Sequence, residues 1–121
     1  MADWDTACRL AERLLPEVER STSYRTPALK VRGSLFARLR EDEESVVVFA
    51  DPMERDALIQ EDGATFSTTP HYEKHPIVLV TLASVDDDQL GELLVESWRR
   101  RAPKRLVKEF DAAAGRTGGK P

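Results

Sequence analysis

Residues 21–40 read S-T-S-Y-R-T-P-A-L-K-V-R-G-S-L-F-A-R-L-R, and within them the helical spacing of the preceding segment gives way to alternation. Leu29 and Val31 point one way and Lys30 and Arg32 the other. After Gly33-Ser34 the pattern resumes, with Leu35, Ala37 and Leu39 opposite Phe36, Arg38 and Arg40. Period two marks a half-buried strand, and a Gly-Ser pair between two such runs predicts a two-residue hairpin turn. Side chains two apart in a strand share a face, so Lys30, Arg32, Arg38 and Arg40 are expected together on one basic hairpin face.

Upstream, Trp4, Ala7, Cys8, Ala11, Leu14, Leu15 and Val18 recur at steps of three and four. That spacing lays an apolar stripe along a helix which Asp3 opens and Pro16 stops. Cys8 lies in the stripe and is expected to be a core thiol, since a reactive one needs exposure and a lowered pKa. Downstream, Glu41-Asp42-Glu43-Glu44 has no apolar member and predicts a solvated turn before a Val-rich strand at residues 45–49. Four successive carboxylates on a turn diverge, which argues against a cation site there. Asp51-Pro52-Met53-Glu54 is a helix start with cap, N1 proline and capping-box acid. Met53, Ala57 and Leu58 are expected to face the core, with Asp62-Gly63 closing the helix. A brief strand surrounds Phe66.

Thr69 to Pro76, T-P-H-Y-E-K-H-P, is a loop fenced by prolines before an apolar strand at residues 77–82, and it holds both histidines, His71 and His75. Spacing i, i+4 aligns zinc ligands only on a helix, and an extended loop does not keep it. Nor does a nucleophile or orienting carboxylate stand at a spacing that makes either histidine a catalytic base. Asp86 caps the next helix, Gln89 is its box partner and Val85 its staple onto Leu90. Leu90, Leu93, Leu94 and Trp98 form the stripe of that helix, Glu96 and Arg100 can pair at i, i+4, and Pro103 breaks it. A last helix turns Leu106, Val107 and Phe110 inward and Lys104, Arg105 and Lys108 outward, and residues 115–121 are expected to be a flexible tail.

At 121 residues the chain fits one domain, placed at residues 1–114, with one core. One cysteine excludes an internal disulfide and a cysteine metal cage, and no metal or cofactor is expected. No apolar run is long enough to span a bilayer, and the amino terminus lacks a signal-peptide layout, so a cytoplasmic protein without membrane contact is expected. The net charge of −4 conceals segregated blocks. Residues 20–40 carry six bases and no acid, residues 41–62 nine acids against Arg55, and residues 97–121 eight bases against Glu109 and Asp111. Such blocks either cancel across the fold or present charged patches to a partner.

The resulting order α-β-β-β-α-β-β-α-α predicts an α+β two-layer sandwich, an antiparallel sheet with helices. With that order, the chain resembles the MmcQ/YjbR family from about Leu15 to Phe110. The resemblance rests on S-Y-R-T-P-A-L-K-V-R-G at residues 23–33, F-A-R-L at 36–39, T-P-H-Y at 69–72, V-L-V-T-L at 78–82 and W-R-R-R-A-P-K-R-L at 98–106. Two departures stand out: Arg25 where the family pattern has Gly, and Ser34 where Lys is common. The resemblance implies a two-layer fold with an antiparallel sheet. Members are described as DNA-binding on the strength of a double-wing shape, which is an analogy from fold.

Two functions follow as expectations. The first is non-catalytic DNA binding through backbone phosphates by Lys30, Arg32, Arg38, Arg40, Arg99, Arg101, Lys104, Arg105 and Lys108. The second is a protein or small-ligand binding module in which Tyr24, Thr26, His71 and Tyr72 line a groove beside the sheet. An enzyme is not expected, because no motif supplies a nucleophile, phosphate loop or metal cage.

Overall fold

In the computed structural model, residues 2–113 are described. The expected tail at residues 115–121 lies outside them. Helix α1 (Trp4–Leu14) is followed by strands β1 (Val18–Ser23), β2 (Thr26–Val31), β3 (Ser34–Leu39) and β4 (Ser45–Phe49). Then come α2 (Pro52–Glu61), β5 (Phe66–Ser67), β6 (Ile77–Thr81), α3 (Asp87–Arg101) and α4 (Lys104–Ala113). The six strands form one sheet in the order β1-β2-β3-β4-β6-β5, every neighbouring pair antiparallel. The fold is α+β in the expected order, with one further strand, β1, ahead of the hairpin.

Aspartates start three helices as the sequence indicates. Asp3 accepts from the Thr6 N–H, Asp51 from those of Met53 and Glu54, and Asp86 from that of Gln89. One sheet face is packed under the helices. Leu29, Val31, Ala37, Leu39, Val46, Val48, Val78 and Val80 meet Ala7, Cys8 and Ala11 of α1 and Leu90, Leu94 and Trp98 of α3 there. Trp98 carries the Phe110 ring of α4 at 5.0 Å between centroids. Cys8 is buried in this core, and burial raises its pKa, as expected of a structural thiol. Leu10 and not Leu14 completes the buried stripe of α1, and Val18 belongs to β1.

Strand β1 escapes period-based reading because V-E-R-S-T-S buries almost nothing and is held by its ladder to β2, from Val18↔Val31 to Ser23↔Thr26. The β1–β2 and β2–β3 turns each have two central residues at positive φ. They are Tyr24 (52°) with Arg25 (68°), and Arg32 (50°) with Gly33 (84°), matching the sense of turn that suits the twist of the flanking strands. The second turn therefore lies one residue before the expected Gly33-Ser34. Arg25 occupies a position that glycine takes at lower conformational cost.

The β2–β3 register shifts by one: Leu29 pairs with Ala37 but Lys30 with Leu35, leaving Phe36 as an extra residue in β3. Phe36 and Ala37 are both fully buried in the helix-side core, contrary to the strict alternation expected for residues 35–40. Beyond Ala37↔Val48 the β3–β4 ladder is continued by a side chain. The buried Ser97 hydroxyl of α3 donates to the Phe36 carbonyl and accepts from the Phe49 N–H at 2.9 Å. Ser97→Ala strands both backbone groups in the interior. We expect it to cost about 2–3 kcal/mol, measured by urea unfolding; a change below about 0.5 kcal/mol would show that the bridge contributes nothing.

Candidate ligand-binding groove

The opposite sheet face carries a row of residues brought side by side by register: Ala28, Arg38, Val47 and Leu79. The three apolar members are buried but do not belong to the helix-side core. In their midst Arg38 is only 5% exposed. Its Nη1 donates to the Thr26 hydroxyl at 3.2 Å and its Nη2 to the Tyr72 hydroxyl at 2.9 Å. The Tyr24 ring centroid lies 5.3 Å from its Cζ, a cation–π distance. Glu41 stands 3.6 Å from Nη1.

The two hydroxyl-bearing residues, Thr26 and Tyr72, are locally fixed. Thr26 donates its hydroxyl to the Ser23 carbonyl across the first hairpin turn at 2.9 Å. The loop at residues 69–76 is wound into turns: the N–H groups of Tyr72 and Glu73 donate to the Thr69 carbonyl, and that of His75 to Tyr72. The extended geometry expected for this loop is thus replaced by a compact one, because Thr69 supplies both carbonyl and hydroxyl to the Tyr72 N–H. His71 consequently lies 5.1 Å from Tyr72 and 6.0 Å from His75, between ring centroids. No third His, Cys, Asp or Glu among the described residues joins the two histidines in a possible metal cluster.

Between these elements lies a groove of about 380 Å³. Leu35, Val47, Phe49 and Ile77 give it apolar walls, and Tyr24, Arg38, Glu41, His71 and Tyr72 give it chemistry. Tyr24, Thr26, His71 and Tyr72, drawn from two distant turns, therefore do meet, and they meet around Arg38. Two residues of the site escape sequence reasoning. Arg55 of α2 is buried and donates to the carbonyls of His75 and Ile77, at 3.0 and 3.5 Å, pinning the far end of the loop. Its signal in the sequence is that it is the lone base in an acidic stretch. Glu41 belongs to a run that reads as a solvated turn, and only the fold brings it to Arg38. Met53, expected in the core, is 81% exposed, and Ala57 is exposed as well. Arg55 occupies the inward position of α2 instead, with Leu58 and Ile59 partly buried against the core.

The expected basic hairpin face is not assembled. Lys30 and Arg38 do share a face, since Lys30 and Ala28, the partner of Arg38, alternate in β2 with the core residues Leu29 and Val31, but Arg38 is enclosed. Arg32 sits in the turn and binds both carboxylate oxygens of Glu17. Arg40 lies beyond β3, 3.8 Å from Asp42. In the carboxy-terminal cluster Arg99 pairs with Asp111 and stands 4.0 Å from Glu96, taking the partner expected for Arg100. Arg101 donates to the Leu35 carbonyl and lies over the Phe49 ring at 4.4 Å. Lys104, Arg105 and Lys108 are exposed on α4, with Arg105 3.7 Å from Glu109.

An open-faced antiparallel sheet, helices on one side and a loop-rimmed groove on the other, is the class of protein these features define. The YjbR family model matches residues 13–100, and the chain belongs to that family. It is 33% identical over 115 residues to the uncharacterized proteins Rv2570 of Mycobacterium tuberculosis and Mb2600 of Mycobacterium bovis, covering 93% of this chain and 82% of each relative. The crystal structure of Deinococcus radiodurans protein DR2400, a DUF419 domain, superimposes with a TM-score of 0.71. Its sequence identity is 24%, and the match covers 91% of this chain and 88% of that one, a likeness of fold. No helix among the described residues is long and apolar enough to cross a membrane.

The paired bases carry a pH dependence. Hydrogen bonds from Arg20 and Arg32 hold the Glu12 and Glu17 carboxyls below the ordinary glutamate value of 4.5. A depressed folded pKa stabilises fully above the unfolded value and is lost as pH falls through the folded one. The stability gap between the wild type and an E12Q/E17Q variant should therefore be largest near neutrality. It should close as pH falls below 4.5 and shrink with added salt, because both pairs are exposed. Urea midpoints across pH ~3–7 check this, and a gap that is constant with pH would refute it.

Proposed function

We propose that this YjbR-family chain is a non-catalytic binding module whose site is the groove around Arg38, taking a small ligand or an extended segment of a partner protein. The observation that carries the proposal is the convergence of two turns, at residues 24–26 and 69–75, on one buried guanidinium. Concave, mostly apolar surfaces with a few fixed polar groups are the usual form of ligand sites, and about 380 Å³ falls within the lower part of their range. The lining groups that could act as acid, base or nucleophile, Glu41, His71 and the two tyrosines, pack on Arg38 or on one another, which supports a non-catalytic role. In an NMR screen of small compounds and short peptides, binders should shift the backbone signals of Tyr24, Thr26, His71 and Tyr72 before those of α1 and α4. Tyr72→Ala should weaken them about tenfold or more. A broad screen that leaves these four signals unmoved would count against the groove.

DNA binding is a second reading, favoured by one observation: Arg100, Lys104, Arg105 and Lys108 are exposed at the elbow between α3 and α4. Four phosphate contacts predict a log–log salt slope of about −3.6. Fluorescence anisotropy of a duplex at several salt concentrations checks it, with the four-alanine variant expected to lose the binding. No binding by the wild type at low salt disposes of this reading.

A further inference from the structure

We propose that the groove takes a small monocarboxylate with a flat apolar body, and that Glu41 is the internal stand-in which the ligand displaces from Arg38. This rests on the groove being a binding site. Arg38 is almost wholly withdrawn from solvent in a row that otherwise holds Ala28, Val47 and Leu79, where a guanidinium's charge needs compensation. Its two hydrogen-bond acceptors, the Thr26 and Tyr72 hydroxyls, are neutral. They satisfy donors without cancelling charge.

Glu41 is the carboxylate beside it, and the pairing is loose. The separation of 3.6 Å is beyond an ordinary N–H···O bond, and the Glu41 side chain is 68% exposed against 7% for Arg38. A half-solvated carboxylate leaving a buried guanidinium regains water, so its departure is inexpensive. A ligand carboxylate reaching the same nitrogens from inside the groove would pair with them in a drier setting, where charge-assisted hydrogen bonds are stronger.

The remaining walls specify the rest of the ligand. Tyr24 is 79% exposed although its ring lies 5.3 Å from the guanidinium, so one aromatic face stands at the rim with little covering it. Leu35, Phe49 and Ile77 line the groove, and His71 and Tyr72 present rings set edge to face. A planar apolar body fits between Tyr24 and these side chains. Arg38 is the one cation among the groove's lining residues, which suits a monoanion over a doubly charged phosphate.

The experiment titrates the full chain by two-dimensional NMR with 2-naphthoate and with its neutral isostere 2-naphthamide. Naphthoate should shift Tyr24, His71 and Tyr72, and naphthamide should bind about tenfold more weakly or not at all. Glu41→Gln, its fold checked from unshifted core signals in the same spectra, should tighten naphthoate about two- to fivefold, the worth of a half-exposed ion pair. The amide should be unaffected by it. Arg38→Gln should abolish the preference for the carboxylate. Equal binding of acid and amide, or no effect of Glu41→Gln on naphthoate, overturns the monocarboxylate inference and leaves the groove standing. The inference falls equally if naphthoate moves no groove signal while neutral compounds do. Should nothing move those signals, the groove itself falls too.

Discussion

The hydroxyl of Ser97 sets the geometry on which both faces of the sheet depend. It stands between the Phe36 carbonyl and the Phe49 N–H, where β3 and β4 would otherwise be bonded directly, and so docks α3 onto the sheet through the backbone. The extra residue in β3 makes this possible. Placing Phe36 and Ala37 in succession toward the core fills the space under Trp98 and α3, and the same shift turns Leu35 to the other side, opposite Lys30. Leu35 becomes part of the groove, and its carbonyl is taken by Arg101 from the last turn of α3. One bulge therefore exchanges a leucine for a phenylalanine in the core and opens the groove on the reverse face.

Arg38 is the costly element of that reverse face. An aliphatic side chain between Ala28 and Val47 would bury apolar area without the desolvation that a cation demands, and replacing buried ion pairs by apolar groups is often neutral or stabilising. What the arginine supplies is connection. Its fork reaches the Thr26 hydroxyl on one nitrogen and the Tyr72 hydroxyl on another, tying a hairpin turn to a loop 46 residues further along the chain. The loop is held from its other end by Arg55, so two buried guanidiniums from separate elements fix it. A loop anchored in this way presents a preformed surface.

The helix starts are legible in the sequence because capping is local chemistry, settled within a few residues of Asp3, Asp51 and Asp86. The hairpin is legible from its period, but its turn falls one residue away from where the sequence puts it, since Gly33 attracts attention and Arg32 gives no sign of adopting positive φ. Strand β1 is invisible for a different reason: its stability lies in backbone pairing at a sheet edge, which leaves no periodic apolar mark. Helix α2 misleads because an arginine occupies its inward position, and burial of a charge is decided by tertiary acceptors such as the His75 carbonyl. The groove's members can be named from their motifs. Their convergence on Arg38 is a product of strand register, which no local pattern encodes.

Charge blocks show the same limit from another side. Residues 20–40 hold six bases in a row of sequence without an acid, yet the fold brings acids from outside the run to four of them. Arg20 is taken by Glu12 of α1, Arg32 by Glu17, and Arg40 stands near Asp42. Acids of α1, of the α1–β1 connection and of the turn after β3 reach these bases, so a run that looks like a patch along the chain is partly divided into pairs across it. Arg38 differs from the others in being enclosed while its carboxylate is solvated. That asymmetry, a dry cation beside a wet anion, is shared by Arg55 and Asp56 and sets both buried guanidiniums apart from bases whose carboxylates match their exposure. It is visible only once burial is known for both partners.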